Sequence, residues 1–108
     1  MAKYVHLDVT NEDDWNSATK LLSNLYGKLN ILVNNAGIAM TGKNLEEVTT
    51  EEWDRIQEVN SKGVFLGAKA AIPYMKASGG GSIVNISSMA GLVGVPGISA
   101  YTLSLIHI

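Results

Sequence analysis

The 108-residue chain has no cysteine, which excludes a disulfide framework and any thiolate metal site. Its two histidines, His6 and His107, stand alone at opposite ends of the sequence. They make no ligand set, and no metal is expected. Excess charge of either sign is also missing: eight Lys and Arg face ten Asp and Glu, for a net charge of −2. The cations are scattered from Lys3 to Lys76, not gathered into the basic stripe that a phosphate backbone requires, so no nucleic-acid partner is expected. The most apolar run, Gly63–Met75, is broken by Lys69 and Pro73, too short and too interrupted for a membrane span. The first residues lack the charged-then-apolar pattern of a secretion signal, which makes a cytoplasmic location the default expectation. What is present, 46% hydrophobic and 17% charged residues, suits one ordinary domain or a piece of one.

Taken in order, Tyr4–Val9 reads as a strand from its β-favouring residues. Thr10 and Asn11, followed by Glu12, Asp13 and Asp14, open a helix whose first turn carries the negative charge the macrodipole favours. Trp15, Ala18, Leu21, Leu22 and Leu25 then recur at helical spacing, and Gly27 ends the helix. Leu29–Val33 is a continuous apolar run, the pattern of a strand buried on both faces of a parallel sheet. Asn34-Asn35-Ala36-Gly37 follows at once, and a polar stretch to Thr50 is long enough to lie over the mouth of a site. Thr49-x-x-Glu52 is a capping box. It opens a long helix on which Trp53, Ile56, Val59, Asn60, Gly63, Gly67, Ala71 and Tyr74 mark one face, with small residues in its middle where another helix can approach closely. Gly79-Gly80-Gly81 punctuates the start of a third strand, Ser82–Ile86; Ser87, Ser88 and a Gly- and Pro-broken loop to Tyr101 come next. Strand, helix, strand, helix, strand is the alternation of a doubly wound parallel sheet with right-handed crossovers. The expected fold is therefore α/β, with three parallel strands alternating with helices in a single domain over residues 1–102.

In open α/β sheets ligands bind outside the carboxyl ends of the strands. Asp8, the Asn34–Gly37 turn and the Ser87-Ser88 pair all fall there. Each also has a plainer reading: Asp8 as a solvated residue near a helix cap, Asn-Asn-Ala-Gly as a turn, and Asn60 as a satisfied polar residue or the site of a kink.

Together these residues resemble the short-chain dehydrogenase/reductase family. Ser88 and Tyr101, thirteen positions apart, fit its pattern of a serine followed about a dozen residues later by Tyr-x-x-x-Lys. Asn-Asn-Ala-Gly is one of its most recognisable signatures, and Glu58-Val59-Asn60 occupies the place of its active-site asparagine. The resemblance implies a partial Rossmann-type sheet, NAD or NADP as cofactor, and hydride transfer between the nicotinamide and a small carbonyl or secondary alcohol. It also implies a homo-oligomer, dimer or tetramer, in which equivalent long helices pair across subunits, with Gly63, Gly67 and Ala71 as candidates for that packing. Residue by residue, it makes Tyr101 the acid/base, Ser88 the hydrogen-bond partner of the substrate oxygen, and Asn60 the holder of a water in the proton relay. Asp8, by its carboxylate, and Val9, by its backbone, would hold the adenine ring, and Asn35, Ala36 and Gly37 would line the adenosine side. A carbonyl that receives hydride must also receive a proton, and a phenol supplies it once a nearby cation draws its pKa from about 10 toward neutrality.

Two departures accompany the resemblance. No glycine-rich turn precedes a helix to receive a pyrophosphate, so the resemblance spans only the middle portion of a family member and does not tell NAD from NADP. The lysine four residues beyond the tyrosine is replaced by Leu105. One reverse translation of the last six residues, Leu103 to Ile108, is CTG TCT CTT ATA CAC ATC, a transposon end used to tag sequencing libraries. Residues 103–108 are accordingly expected to be a non-native tail standing where the natural chain carries the lysine. The alternative function is a non-catalytic α/β module for binding or oligomerisation, which fold alone does not separate from the enzyme.

Overall fold

The computed structural model describes residues 1–39 and 42–106. Met40 and Thr41, and with them His107 and Ile108 of the expected tail, lie outside these residues. Helix α1 (Glu12–Tyr26) starts where the side chain of Asn11 accepts the Asp14 amide at 3.0 Å. It stops where Gly27 turns into the left-handed region at φ 75° and returns its N–H to the Ser23 carbonyl at 2.8 Å. Strand β1 (Ile31–Asn34) follows. Helix α2 (Thr50–Gln57) opens with the reciprocal Thr49–Glu52 capping box. It runs without a break through a wide π-helical turn, Glu58–Lys62, into α3 (Gly63–Ala77), so the three segments form one rod. Strand β2 (Ser82–Asn85) returns parallel to β1, with Ile31 opposite Ser82 and Asn34 opposite Asn85. A short 3-10 turn, Met89–Gly91, and helix α4 (Ser99–Ile106) complete the order.

The α/β class and the parallel pairing match expectation, but the described residues hold two paired strands where the sequence pattern gives three. Tyr4–Val9 has no ladder partner, and Tyr4 is 84% exposed. β-branched composition favours an extended chain, but a strand exists only where a neighbouring strand takes its N–H and C=O groups, and among the described residues none does. The second difference concerns β1, which is covered on one face only. Asn34 is buried there, whereas Ile31 and Val33 point the other way and are more than half exposed.

The covered face meets α3 and, beyond it, α1. Leu29, Ala71 and Met75 form the packed centre, with Leu22, Leu32 and Tyr74 against them. Trp15 anchors α1 through its indole N–H, which donates to the Val9 carbonyl at 2.9 Å. The small residues of α3 do allow close approach, but within the chain. A methyl built on Gly67 would lie 2.5 Å from Asn34 Oδ1 and 2.9 Å from the Trp15 ring, and one on Gly63 would lie 2.9 Å from Val9 Cγ2. Gly63, Gly67 and Ala71 are all buried. Their place in a subunit interface is corrected: they are occupied by the chain's own core, because α1 needs that groove for Trp15.

Candidate functional site

At the carboxyl end of β1 the chain turns through Asn35, Ala36 and Gly37 into Ile38. There the small side chains leave room for a cleft of about 190 Å³. Asn60 and Val64 form one wall, Ile86 and Ser87 another, and Tyr101 and Leu105 of α4 a third. Three separate elements thus deliver polar groups to one concavity beyond the strand ends, as an open α/β sheet leads one to expect.

Asn60 is the best-held residue of the group. It is 2% exposed, and its amide makes a two-way match with the backbone of Ile38: Oδ1 accepts the Ile38 N–H at 2.8 Å and Nδ2 donates to the Ile38 carbonyl at 2.8 Å. The second Nδ2 proton goes to Ser104 Oγ at 3.0 Å, and that hydroxyl donates to the Tyr101 carbonyl at 2.6 Å. A buried amide with both N–H groups and its oxygen engaged fixes the loop after β1 and the helix of Tyr101 in one frame. It sits in the π-helical turn, a departure from regular helix that occurs often at functional sites. Tyr101 and Leu105 are one helical turn apart on α4, so both face the cleft.

The serine pair divides. Ser87 lines the cleft, with its Oγ near Gly91 and α4, while the Ser88 side chain accepts the Ala90 amide at 3.2 Å and caps the Met89–Gly91 turn. A second, smaller cleft of about 110 Å³ shares Asn35, Ala36 and Val64 with the first and extends to Val9, Trp15 and Gly63. The Val9 side chain lines it, but its carbonyl is already taken by Trp15. Asp8 lies outside both clefts. Its Oδ1 accepts the Thr10 amide at 2.9 Å and the Thr10 hydroxyl at 2.8 Å, which shapes the entry to α1. These bonds, the amide first, hold the Asp8 carboxyl below its ordinary value.

The structure therefore gathers Asn35, Ala36, Gly37, Asn60 and Tyr101 at one cleft and Val9 beside it, and sets Ser88 and Asp8 to local capping. Sequence reasoning placed the Ser87-Ser88 pair at the strand end but gave the role to Ser88, and it missed Ile38 and Ser104.

The sequence model of a family described as short chain dehydrogenase matches residues 1–104. Cyclopentanol dehydrogenase from Comamonas sp. is 48% identical over 103 residues, covering 95% of this chain and 41% of that protein. Trans-4-hydroxycyclohexanecarboxylate dehydrogenase from Sinomonas cyclohexanicum is 50% identical over 101 residues, 94% of this chain and 38% of the other. Among solved structures, ElxO with NADP bound superposes with a TM-score of 0.91 at 34% identity, over 96% of this chain and 42% of its own. The chain thus spans about two fifths of the length of the relatives it matches.

Proposed function

The chain belongs to the short-chain dehydrogenase family, and on that premise we propose that it is the central portion of an NAD(P)-dependent oxidoreductase that interconverts a secondary alcohol and a ketone. The observation that carries the reading is the convergence of Tyr101, Asn60 and the Asn35-Ala36-Gly37 turn on one cleft at the strand ends. The similar dehydrogenases are named for cyclopentanol and for a hydroxycyclohexane carboxylate, so a hydroxyl on a small apolar ring is the substrate class proposed here.

The residues present fit part of a dinucleotide. The two clefts share Asn35, Ala36 and Val64 at the end of β1, and Gly37 lines the first of them. Asn35, Ala36 and Gly37 would lie against the cofactor, with the Val9 side chain at its far end. A bound nicotinamide would supply or accept the hydride of the reaction. Tyr101 exchanges the matching proton through its phenol oxygen, and Asn60 holds that helix and the Ile38 backbone at fixed separation. Ser87 and Ser88 both remain candidates for the substrate oxygen; Ser88 would have to leave its cap on Ala90 to reach it. Asp8 is kept as an adenine contact only as an edge residue, beyond the clefts.

Residues 1–102 are proposed as part of one domain and 103–108 as a non-native tail, although Leu103–Ile106 prolong α4 and Leu105 packs into the cleft where a lysine is expected. The whole enzyme is proposed to be a cytoplasmic homo-oligomer, with the exposed Phe65 and Ile72 of α3 available for contact. The test is oxidation of cyclopentanol or cyclohexanol by the longer protein with NAD and with NADP, followed as reduced nicotinamide. Tyr101→Phe is expected to lower turnover by about a hundredfold or more with cofactor affinity retained. Undiminished turnover in that variant would reject the assignment.

A further inference from the structure

The rod of α2, the π-helical turn and α3 touches α4 along a seam of side-chain-to-backbone hydrogen bonds. Gln57 Nε2 donates to the Ala100 carbonyl at 3.1 Å, and Ser61 Oγ donates to the Ser104 carbonyl at 3.1 Å. The donors are four residues apart on one helix and the acceptors four residues apart on the other, running in the same direction. Four residues are about 6 Å of helix rise, so the two bonds are consecutive rungs with matched spacing. A single such bond would let α4 swivel. Two rungs fix both its height and its rotation, since a slip by one turn would leave Gln57 facing Ser104 and Ser61 facing no carbonyl of the pair. The two rungs also touch, because the single Ser61 hydroxyl proton lies between the Ser104 carbonyl at 3.1 Å and Gln57 Oε1 at 3.3 Å and is shared between them.

The acceptors show what this seam adds to the apolar packing in setting the register. The Ser104 carbonyl lies in the last turn of α4, where carbonyls have no partner within the helix, and Ser61 supplies one. Residue 104 is fully buried, a setting in which an unpaired carbonyl is costly, whereas the Ala100 carbonyl is within the helix and takes Gln57 as an added donor. Both acceptors are main-chain atoms, so the seam is indifferent to which side chains stand at these positions. Tyr101 lies inside the ladder, one residue past the first rung. We infer that Gln57 and Ser61 are positioning residues, outside the cleft, that index α4 against the long helix and so set the depth at which the Tyr101 phenol enters the cleft beside Asn60. The catalytic consequence rests on the proposed role of Tyr101; the indexing itself does not.

Because the chain has no native cysteine, Asp54→Cys and Leu103→Cys give a specific pair of exposed spin-label sites across the seam, and their separation reports the register by pulsed electron paramagnetic resonance. In the otherwise unaltered chain one narrow distance is expected. With Gln57→Met and Ser61→Ala together, which remove both donors and keep the side chains close in size, the distribution should broaden or move by about 5 Å, one helical turn. Ser61→Thr keeps the hydroxyl and should restore the narrow distance when Gln57 is present, whereas Ser61→Ala alone should broaden it. Should the double variant lose its helical circular dichroism, the Ser61→Thr and Ser61→Ala pair decides. An unchanged narrow distance in a folded chain lacking the donors, or equal broadening by threonine and alanine, would overturn the inference. Tyr101→Phe leaves every rung intact and should leave the distance alone, so a failure of the proposed chemistry would not pass for a failure of the ladder.

Discussion

Replacing Gly67 by alanine tests the packing that holds the site's floor in place. The new methyl would stand 2.5 Å from Asn34 Oδ1 and 2.9 Å from Cη2 and Cζ2 of Trp15, where ordinary carbon contacts lie near 3.5–4.0 Å. Both neighbours would have to retreat by about 1 Å. Neither has room: Asn34 is 7% exposed and donates to Asn85 Oδ1 across the two strands at 2.9 Å, and Trp15 is 8% exposed and tied to the Val9 carbonyl. Alanine inside a helix gains about 1 kcal/mol over glycine from propensity alone. Against that stand about 1–3 kcal/mol for overpacking and about 1–3 kcal/mol for an Asn34 amide pushed off its partner. The midpoint of the balance is a loss of about 3 kcal/mol, or a melting temperature lower by about 12–24 °C in a domain of this size. Gly94→Ala, where a methyl meets open space, serves as the control and should stay within about 0.5 kcal/mol. Thermal unfolding followed by tryptophan fluorescence reads both variants. A Gly67→Ala chain as stable as its parent would show that α1 and β1 are not held against α3 as described.

Asn60→Ala would strand the Ile38 N–H and carbonyl together and should cost about 2–4 kcal/mol in urea unfolding; a loss under about 0.5 kcal/mol would deny the two-way match its structural weight. Leu105→Lys would return a cation to the cleft wall one turn from Tyr101, and in the longer protein should raise alcohol oxidation by about a hundredfold, with an unchanged rate counting against Tyr101 as the acid/base. The Asp8 carboxyl is held below its ordinary value by Thr10, and that of Glu52 by the hydrogen bond from Lys43 and then by the Thr49 amide. For groups lowered by folding, the unfolded chain binds the extra proton first, so their contribution is present above about pH 4 and is lost as pH falls through the folded values. The melting temperature should drop on acidification below about pH 4, and Asp8→Asn with Glu52→Gln should flatten that slope; an equal slope in the variant would refute the linkage.

What could be read from the sequence was what nearest neighbours decide. Asn11, Gly27 and the Thr49–Glu52 box act within one turn of themselves, and each stands in the structure where the pattern placed it. Tyr4–Val9 failed as a strand because strand formation depends on a partner that no local pattern supplies. Gly67 announced close approach, but the approaching group, Trp15, is fifty-two residues away in sequence. At the site, the turn at Asn35–Gly37, Asn60 and Tyr101 were legible by resemblance and do share a cleft. The choice between Ser87 and Ser88 was not, because in extended backbone adjacent side chains take opposite sides and the answer turns on a one-residue register. The Gln57–Ser61 seam lay in plain view as a four-residue step, but its meaning depended on knowing that α4 runs alongside.

The π-helical turn at Glu58–Lys62 gives the long rod an unusual tolerance to changes in length. In regular helix, removing one residue rotates everything beyond it by about 100°, which would carry the Gly67 groove away from Trp15. Within the wide turn the rod already holds one residue more than a regular helix needs, so a single deletion there can be absorbed by tightening to ordinary helix while α2 and α3 keep their faces. The residue displaced in that tightening is Asn60 or its neighbour. Loss of Asn60 itself would keep the faces of the core but leave the Ile38 N–H and carbonyl unpaired, so the spare length of the turn is something the rod can give up and the site cannot.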